Sequence, residues 1–308
     1  NPDGTLGSSW HPKIKNGEIQ LPIQEDETAL PIHAFYDFYQ KFKALEFVYD
    51  LYTPLVKKAG DFMASYIYED LNLPMPSYDP WEEQRGVFTY TAACTYAGLI
   101  GAASLAEATA SYGDAEKYTL AAERIKAAML EHLYSKEHGR FFKKVIVKDG
   151  YVVEKDATID ASLSYIWRMG VLPADDERVV NTMKAIKENL WVDGPIGGLA
   201  RYTGDYYQRE FRSEDHPNIP GNPWIITTLW YAQWLTELAE NEDDLKEIDQ
   251  LLHWVADRAN HSGILPEQID PFDGKPLSVA PLTWSHAEYV LTMLSYNEKR
   301  QKILKRKK

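Results

Sequence analysis

Hydrophobic positions along the chain recur mostly at helical spacing. Val180, Met183, Ile186 and Leu190 fall three or four residues apart. Leu245, Ile248, Leu252, Val255 and Ala259 do the same, with Asp and Glu between them. That period puts an apolar stripe on one helix face and leaves the opposite face to water. Carried along the whole chain, it predicts nine helices, at about 25–43, 46–70, 87–112, 114–135, 160–169, 175–192, 222–240, 243–261 and 282–305. Asp114, Asn222 and Asp243 or Asp244 stand at helix starts, where a side-chain oxygen can cap the first amides. One stretch reads as β: Phe141 to Val147 and Tyr151 to Val153 flank Lys148-Asp149-Gly150, a hairpin with Asp-Gly in its turn.

The connections alternate in character. Gly113 and the residues around Asn241 make short turns, whereas 71–86, 193–221 and 262–281 are long and rich in Pro, Gly and aromatics. Short turns on one side and long loops on the other point to paired helices in a ring, with binding groups on the long loops at one mouth. The third predicted helix is crowded with Ala92, Ala93, Ala97, Gly98, Gly101, Ala102 and Ala103. Small residues let neighbouring helices approach closely, as inner staves must, and an Ala-rich run is also simply a good helix former. No linker or shift in composition divides the chain, which predicts one domain over residues 1–308.

Composition narrows the function. Of 308 residues 44% are hydrophobic and 13% aromatic, including 9 Trp and 20 Tyr, which excludes a disordered chain. The 33 basic and 46 acidic residues leave a net charge of −13, which argues against nucleic acid or an anionic membrane as partner. Cys94 is the only cysteine, so there is neither a disulfide scaffold nor a Cys-based metal cluster. The eight His are scattered without His-x-x-x-His spacing, and His286 reads as a helix-start residue rather than a base. The basic run Lys299 to Lys308 reads as a solvated helix end. No apolar run is long enough to span a membrane. The chain opens Asn1-Pro2-Asp3-Gly4 with no initiator Met and no visible signal peptide, which with the lone Cys favours the cytoplasm.

Three long loops hold paired carboxylates and Trp. The first is Pro76-Ser77-Tyr78-Asp79-Pro80-Trp81-Glu82-Glu83-Gln84-Arg85-Gly86. Aromatic faces pack on the C–H faces of sugar rings, and an apolar wall with a second carboxylate can raise a glutamate's pKa until it acts as an acid. The same two glutamates would also favour a following helix N-terminus. The second loop, Gly197 to Tyr207, sets Arg201 and Asp205 among tyrosines and continues to Gly221-Asn222-Pro223-Trp224. Arg201 and Asp205 could hold sugar hydroxyls or pair with each other. The third holds Pro266-Glu267-Gln268 and then Leu282-Thr283-Trp284-Ser285-His286. Glycosidic hydrolysis commonly uses two carboxyls, one acid and one base or nucleophile.

In their order, the Asp-x-Trp-Glu-Glu loop, the Gly-Asn-Pro-Trp helix start, and Glu-Gln followed by Leu-Thr-Trp-Ser resemble glycoside hydrolase family 15. That family holds the glucoamylases, glucodextranases and some trehalases. Gln24-Glu25-Asp26-Glu27-Thr28-Ala29-Leu30 is similar to its segment at the start of the fourth barrel helix. The resemblance implies an all-α fold, a twelve-helix (α/α)6 barrel or six-hairpin toroid, and an inverting exo-hydrolase of α-glucosides that needs no metal or organic cofactor. By the same resemblance Glu82 is the general acid and Glu267 the general base. Asp79, Trp81, Glu83, Arg201, Asp205, Tyr207, Trp224 and Trp284 fall on substrate-binding positions. Pro80 departs from the Leu of many members and would hold Asp79 extended.

The nine predicted helices begin at the family's fourth, and its Trp-x-Arg-Asp motif has no counterpart in the 308 residues. We expect an N-terminally incomplete barrel, completed by an N-terminal segment or a separate chain. The expected substrate is an α-glucan or maltooligosaccharide, with α-1,6-glucan and trehalose as alternatives. A non-catalytic regulatory barrel, as in phosphorylase kinase, is the rival from another class. It has no need of a water-activating base such as Glu267. The segment Gln208 to Pro220 is expected to shape the mouth of the site.

Overall fold

The computed structural model describes residues 14–15, 18–19, 23–210 and 216–306. It divides into two compact units, Asn1–Ala157 with Tyr165–Leu172, and Thr158–Ser164 with Pro173–Lys308. Helices are the main regular element of both.

In the first unit the helices are α1 (Asp26–Phe42), α2 (Leu45–Leu51), α3 (Lys58–Ser65), α4 (Thr89–Ala108), α5 (Tyr112–Ala128) and the single turn α6 (Tyr165–Arg168). α4 buries every residue from Thr89 to Leu99 and packs on α1, α3 and α5. Its small residues serve close approach. A Cβ on Gly98 would stand 2.9 Å from Ala29 Cα of α1, and one on Gly101 would stand 3.0 Å from Tyr36 Cβ. Helix backbones this near leave room for hydrogen atoms only.

The helix expected at 46–70 is interrupted. Between α2 and α3, Tyr52–Lys57 forms a widened π-helical turn, and it contains Pro54, which cannot donate the next helical hydrogen bond. The turn expected at Gly113 lies earlier, at 109–111, where Ala110 takes a left-handed φ of 58°. Gly113 is inside α5. Asp114 is therefore not an N-cap; its carboxylate accepts from Tyr52 Oη and Lys57 Nζ, both at 2.8 Å. The expected hairpin is present as β3 (Lys144–Lys148) and β4 (Tyr151–Asp156), with Asp149 and Gly150 both at positive φ in the turn. It is half of a four-stranded antiparallel sheet, extended by β1 (Ser77–Tyr78) and β2 (Arg85–Phe88). Those two strands are too short to show a period in the sequence.

The second unit holds α7 (Glu177–Leu190), α8 (Ile225–Leu238), α9 (Leu245–Ala256) and α10 (Thr283–Lys305), with the two-residue strands β5 (Gln268–Ile269) and β6 (Pro276–Leu277). The helix expected at 160–169 is a 3₁₀ turn, Ala161–Ser164, that runs into α6. α8 buries all of Ile225–Trp234, while α7 and α9 bury one stripe each, as their sequence period requires. Neither Asn222 nor Asp244 caps a helix by its side chain. Asp244 Oδ2 instead accepts from the amides of Glu240 and Asn241 and closes the α8–α9 turn. The side chain of Asn222 is buried in the candidate site.

Apolar side chains also face outward. Phe38, Phe42 and Phe47 cluster on α1 and α2 with ring centroids 4.8 and 5.7 Å apart, and α10 exposes Val290, Leu291 and Leu294. Contiguous apolar patches of this kind mark interaction surfaces. No helix among the described residues is long and apolar enough to cross a membrane.

Two expectations follow for stability. Gly98→Ala should destabilise by about 1–3 kcal/mol through overpacking against α1, although Ala is the better helix former. Gly113→Ala, where a Cβ meets nothing within 4 Å, should stabilise by about 0.5–1 kcal/mol. Urea denaturation of both variants reads the opposite signs, and the same sign in both would refute the close-approach account.

The second concerns the start of α1, where Glu25 and Asp26 are buried side by side. Burial above all, then the charge of Glu27 and more distantly Asp79, pushes Asp26 up to about 7 against a hydrogen bond from Thr91 Oγ1. Burial and the charge of Asp26 likewise push Glu25 well up. The folded protein thus keeps the Asp26 proton to near pH 7, whereas the unfolded chain releases it near 3.8. Stability from this group is lost as pH rises across that window. Asp26→Asn should match the parent near pH 4 and exceed it increasingly above, by on the order of 4 kcal/mol at pH 8. Denaturation midpoints that stay equally spaced between pH 5 and pH 8 would contradict this.

Candidate active site

The candidate residues fall in two groups, one in each unit. In the first unit, β1 and β2 pair with Ser77 opposite Gly86 and Tyr78 opposite Arg85, so the residues between them form a tight loop. Asp79 is its hub and is fully buried. Its N–H donates to Gln84 O at 3.0 Å, and its carbonyl accepts from the Glu82 amide at 3.0 Å. Its Oδ1 accepts from the amides of Glu83 and Gln84 at 2.8 and 2.9 Å. Four hydrogen bonds to one residue force the chain to double back, and Glu82 takes up the turn with φ of 57°. A non-glycine residue held there costs about 1–3 kcal/mol, a strain found chiefly at functional sites.

Trp81 is buried beside it, and Glu82 and Glu83 are half-buried. These glutamates do not start a helix: strand β2 follows them, and α4 begins only at Thr89. The helix-dipole explanation of the Glu-Glu pair is thereby removed.

In the second unit, two glycines set the path to Arg201. Gly197 and Gly198 have φ of 70° and 90°, and Cβ atoms there would stand 2.9 Å from Trp191 Cζ2 and fall inside the Trp254 ring's contact distance. Trp254 Nε1 and Arg258 Nη2 both donate to Ile196 O, at 2.6 and 2.8 Å. The next residue, Leu199, is fixed by Thr228 Oγ1 at its amide and by Thr227 Oγ1 and the Trp224 amide at its carbonyl.

Arg201 then meets Asp205 in a two-pronged ion pair, Nε to Oδ2 at 2.8 Å and Nη2 to Oδ1 at 2.7 Å. Both residues are buried, and such a pair tolerates burial only with full hydrogen bonding. Asp205 Oδ1 also accepts the Tyr207 amide. The guanidinium carbon lies 4.8 Å from the Trp224 ring centroid and 4.9 Å from that of Tyr207. Arg201, Asp205, Tyr207 and Trp224 are thus one cluster, with Arg201 and Asp205 paired to each other.

Glu267 joins this cluster through amides. Its carbonyl accepts the Ile225 amide at 3.3 Å, and its Oε2 accepts from Gln268 Nε2 at 3.1 Å. Gln268 is fully buried, and its Oε1 accepts from Asn222 Nδ2 at 2.8 Å. Asn222 also donates to Gln208 O at 3.0 Å. A chain Asn222–Gln268–Glu267 therefore aims the carboxylate. The α10 end supports the same loop: Ser285 Oγ donates to Pro266 O at 2.8 Å, and His286 Nε2 accepts from the Leu265 amide at 3.0 Å. His286 is structural, as expected. Trp284 sits half-buried with its ring 5.6 Å from Trp230 and its indole N–H donating to Glu288 Oε1 at 3.3 Å.

The sequence reading took Asn222 for a helix cap and passed over Gln268. The signal was present in the amide that directly follows Glu267 and in the buried Gly-Asn-Pro-Trp turn. Of the segment 208–220, residues 211–215 lie outside the described residues.

Comparison with known proteins shows the family and the fold. The profile of Glycosyl hydrolases family 15 matches residues 19–248 and 236–294. An uncharacterized glycosyl hydrolase of Methanocaldococcus jannaschii is 30% identical over 302 residues, which is 94% of this chain and 44% of that protein. A glucoamylase of Clostridium sp. is 29% identical over 289 residues, 87% of this chain and 38% of its own length. The crystal structure of a bacterial glucoamylase complexed with acarbose superposes with a TM-score of 0.72 at 28% identity, covering 92% of this chain and 42% of that one. The chain spans less than half the length of these relatives, and its helical fold matches the glucoamylase (α/α)6 barrel. On the profile and on the relatives alike, the chain belongs to glycosyl hydrolases family 15.

Proposed function

We propose that this chain carries the two catalytic glutamates of an inverting, exo-acting glycoside hydrolase that releases β-glucose from the non-reducing ends of α-glucans and maltooligosaccharides. The observation that carries this reading is the Asp79 hub, which spends four hydrogen bonds on holding Glu82 in a strained backbone conformation. The family and the glucoamylase relatives support it.

In this mechanism protonated Glu82 gives its proton to the glycosidic oxygen as the C1–O bond breaks through an oxocarbenium-like state. Ionised Glu267, aimed by Gln268, takes a proton from a water whose oxygen bonds to C1 on the opposite face. One bond breaks, one forms, and the anomeric centre inverts. Such enzymes hold their two carboxyls about 6.5–9.5 Å apart, which leaves space for that water. Asp79, Trp81 and Glu83 on the acid loop, and Arg201, Asp205, Tyr207, Trp224 and Trp284 in the second unit, would line the sugar. Trp and Tyr rings give apolar faces to pyranose C–H groups, and the charged groups take hydroxyls. A trehalase of Thermoplasma volcanium, 25% identical over 240 residues, favours trehalose as second substrate.

Glu82→Gln and Glu267→Gln should each lower hydrolysis by about 10²–10⁴-fold while sugar binding survives. NMR of the first product from maltotetraose, isomaltotriose and trehalose identifies both the preferred linkage and the anomer. Unchanged turnover in either variant, or α-glucose as the first product from maltotetraose, would end the assignment.

A further inference from the structure

The strained turn at Glu82 has a support from outside its own loop. Gln24 precedes α1 and is buried, and its Nε2 donates to the carbonyl of Asp79 at 3.0 Å. That carbonyl is the one that accepts the Glu82 amide. The Ile23 carbonyl beside it accepts the Tyr78 amide at 2.8 Å, so two consecutive residues grip the loop where it leaves β1. The reverse orientation of the Gln24 amide would set its oxygen against the Asp79 oxygen, so the donor role is fixed by geometry. Gln24 is itself held. Its carbonyl accepts the Glu27 amide in the first turn of α1, and α1 lies on α4 at the Gly98 contact.

From this we infer that Gln24 is a positioning residue for the general acid, acting through the Asp79 carbonyl to keep Glu82 in its left-handed turn. The inference rests on the reading of Glu82 as the acid. The Asp79 carbonyl shares its two lone pairs between Gln24 and Glu82. Without Gln24 the Asp79 carbonyl loses one of its two partners, and the turn can relax more readily toward ordinary φ at the expense of the Glu82 hydrogen bond. Glu82 would then spend part of its time with its carboxyl misdirected, which lowers the rate of proton transfer rather than substrate affinity.

The chemistry of the donor supplies the test. Gln24→Met keeps the volume and removes the N–H. Gln24→Glu keeps the shape and can donate only while its carboxyl is protonated. The carboxyls of Glu25, next to it in the chain, of Asp26 on α1 and of Asp79 on the loop favour the neutral form, and the Arg85 guanidinium beside the Tyr66 hydroxyl opposes it. In Gln24→Met, kcat should fall roughly three- to tenfold with KM within about twofold. Hydrogen-exchange protection of the Glu82 amide should fall by a similar factor. Gln24→Glu should resemble Gln24→Met at pH 8 and regain both properties as pH falls, whereas Gln24→Met should not. Unchanged Glu82 amide protection in Gln24→Met overturns the inference whatever the turnover. So does a Gln24→Glu variant with no recovery at low pH. Full turnover in Glu82→Gln would remove the acid role itself, and the inference with it. An inactive Glu82→Gln beside an unaltered Gln24→Met would remove the inference alone.

Discussion

The acid loop depends on a close approach of two helix backbones. Gly98 of α4 leaves no space for a side chain against Ala29 of α1, and Gly101 repeats the contact one turn on at Tyr36. Much follows from that constraint. It fixes the height of α1 along α4, which is buried throughout from Thr89 to Leu99, and so the place where α1 begins. Ile23 and Gln24 reach the acid loop from that point, and Glu25 and Asp26 are buried by it. A loop closed by only two paired strand positions has little rigidity of its own. Here its geometry is borrowed from a helix pair whose spacing cannot vary by the width of a methyl group.

The second unit reaches rigidity by a different route. Its critical segments are loops, and each is fixed by side-chain hydrogen bonds to backbone: Thr227 and Thr228 on Leu199, Trp254 and Arg258 on Ile196, and Ser285 on Pro266. These side chains project from α8, α9, α10 and the turn just after α9, so the precision of the loops again comes largely from helices. Buried loop carbonyls need such partners, because leaving one unmade costs about 1–3 kcal/mol.

The sequence revealed the helices and the chemistry unequally. Helical period located α7 and α9 well, since each has one wet face, and the small residues of α4 foretold its close packing. Pattern failed where a single residue overrides it. Pro54 widens a helix that periodicity draws as continuous, and Ala110 accepts the left-handed turn that Gly113 was expected to make. Glu82, Glu267 and Arg201 stood out as charged residues in aromatic loops. The amides that orient them did not: Gln24, Asn222 and Gln268 carry no charge, and their roles depend on partners 55, 14 and 46 residues away. Reading them requires knowing which carbonyl or amide folds back upon each.

Buried charge is distributed in a way that fits this division of labour. Arg201 and Asp205 hold each other at 2.7–2.8 Å, with the guanidinium against the rings of Tyr207 and Trp224. Glu25 and Asp26 have no such partner among the described residues and resolve their burial by holding protons instead. Behind the acid loop Glu25 therefore adds little negative charge near neutral pH, and Asp26 ionises only as pH rises through about 7. That matters for Gln24, because its hydrogen bond to the Asp79 carbonyl competes with any nearby carboxylate that could attract the same N–H. Protonated Glu25 and Asp26 are weaker competitors than their ionised forms, so the burial that disfavours their carboxylates also helps keep the Gln24 donor on the acid loop.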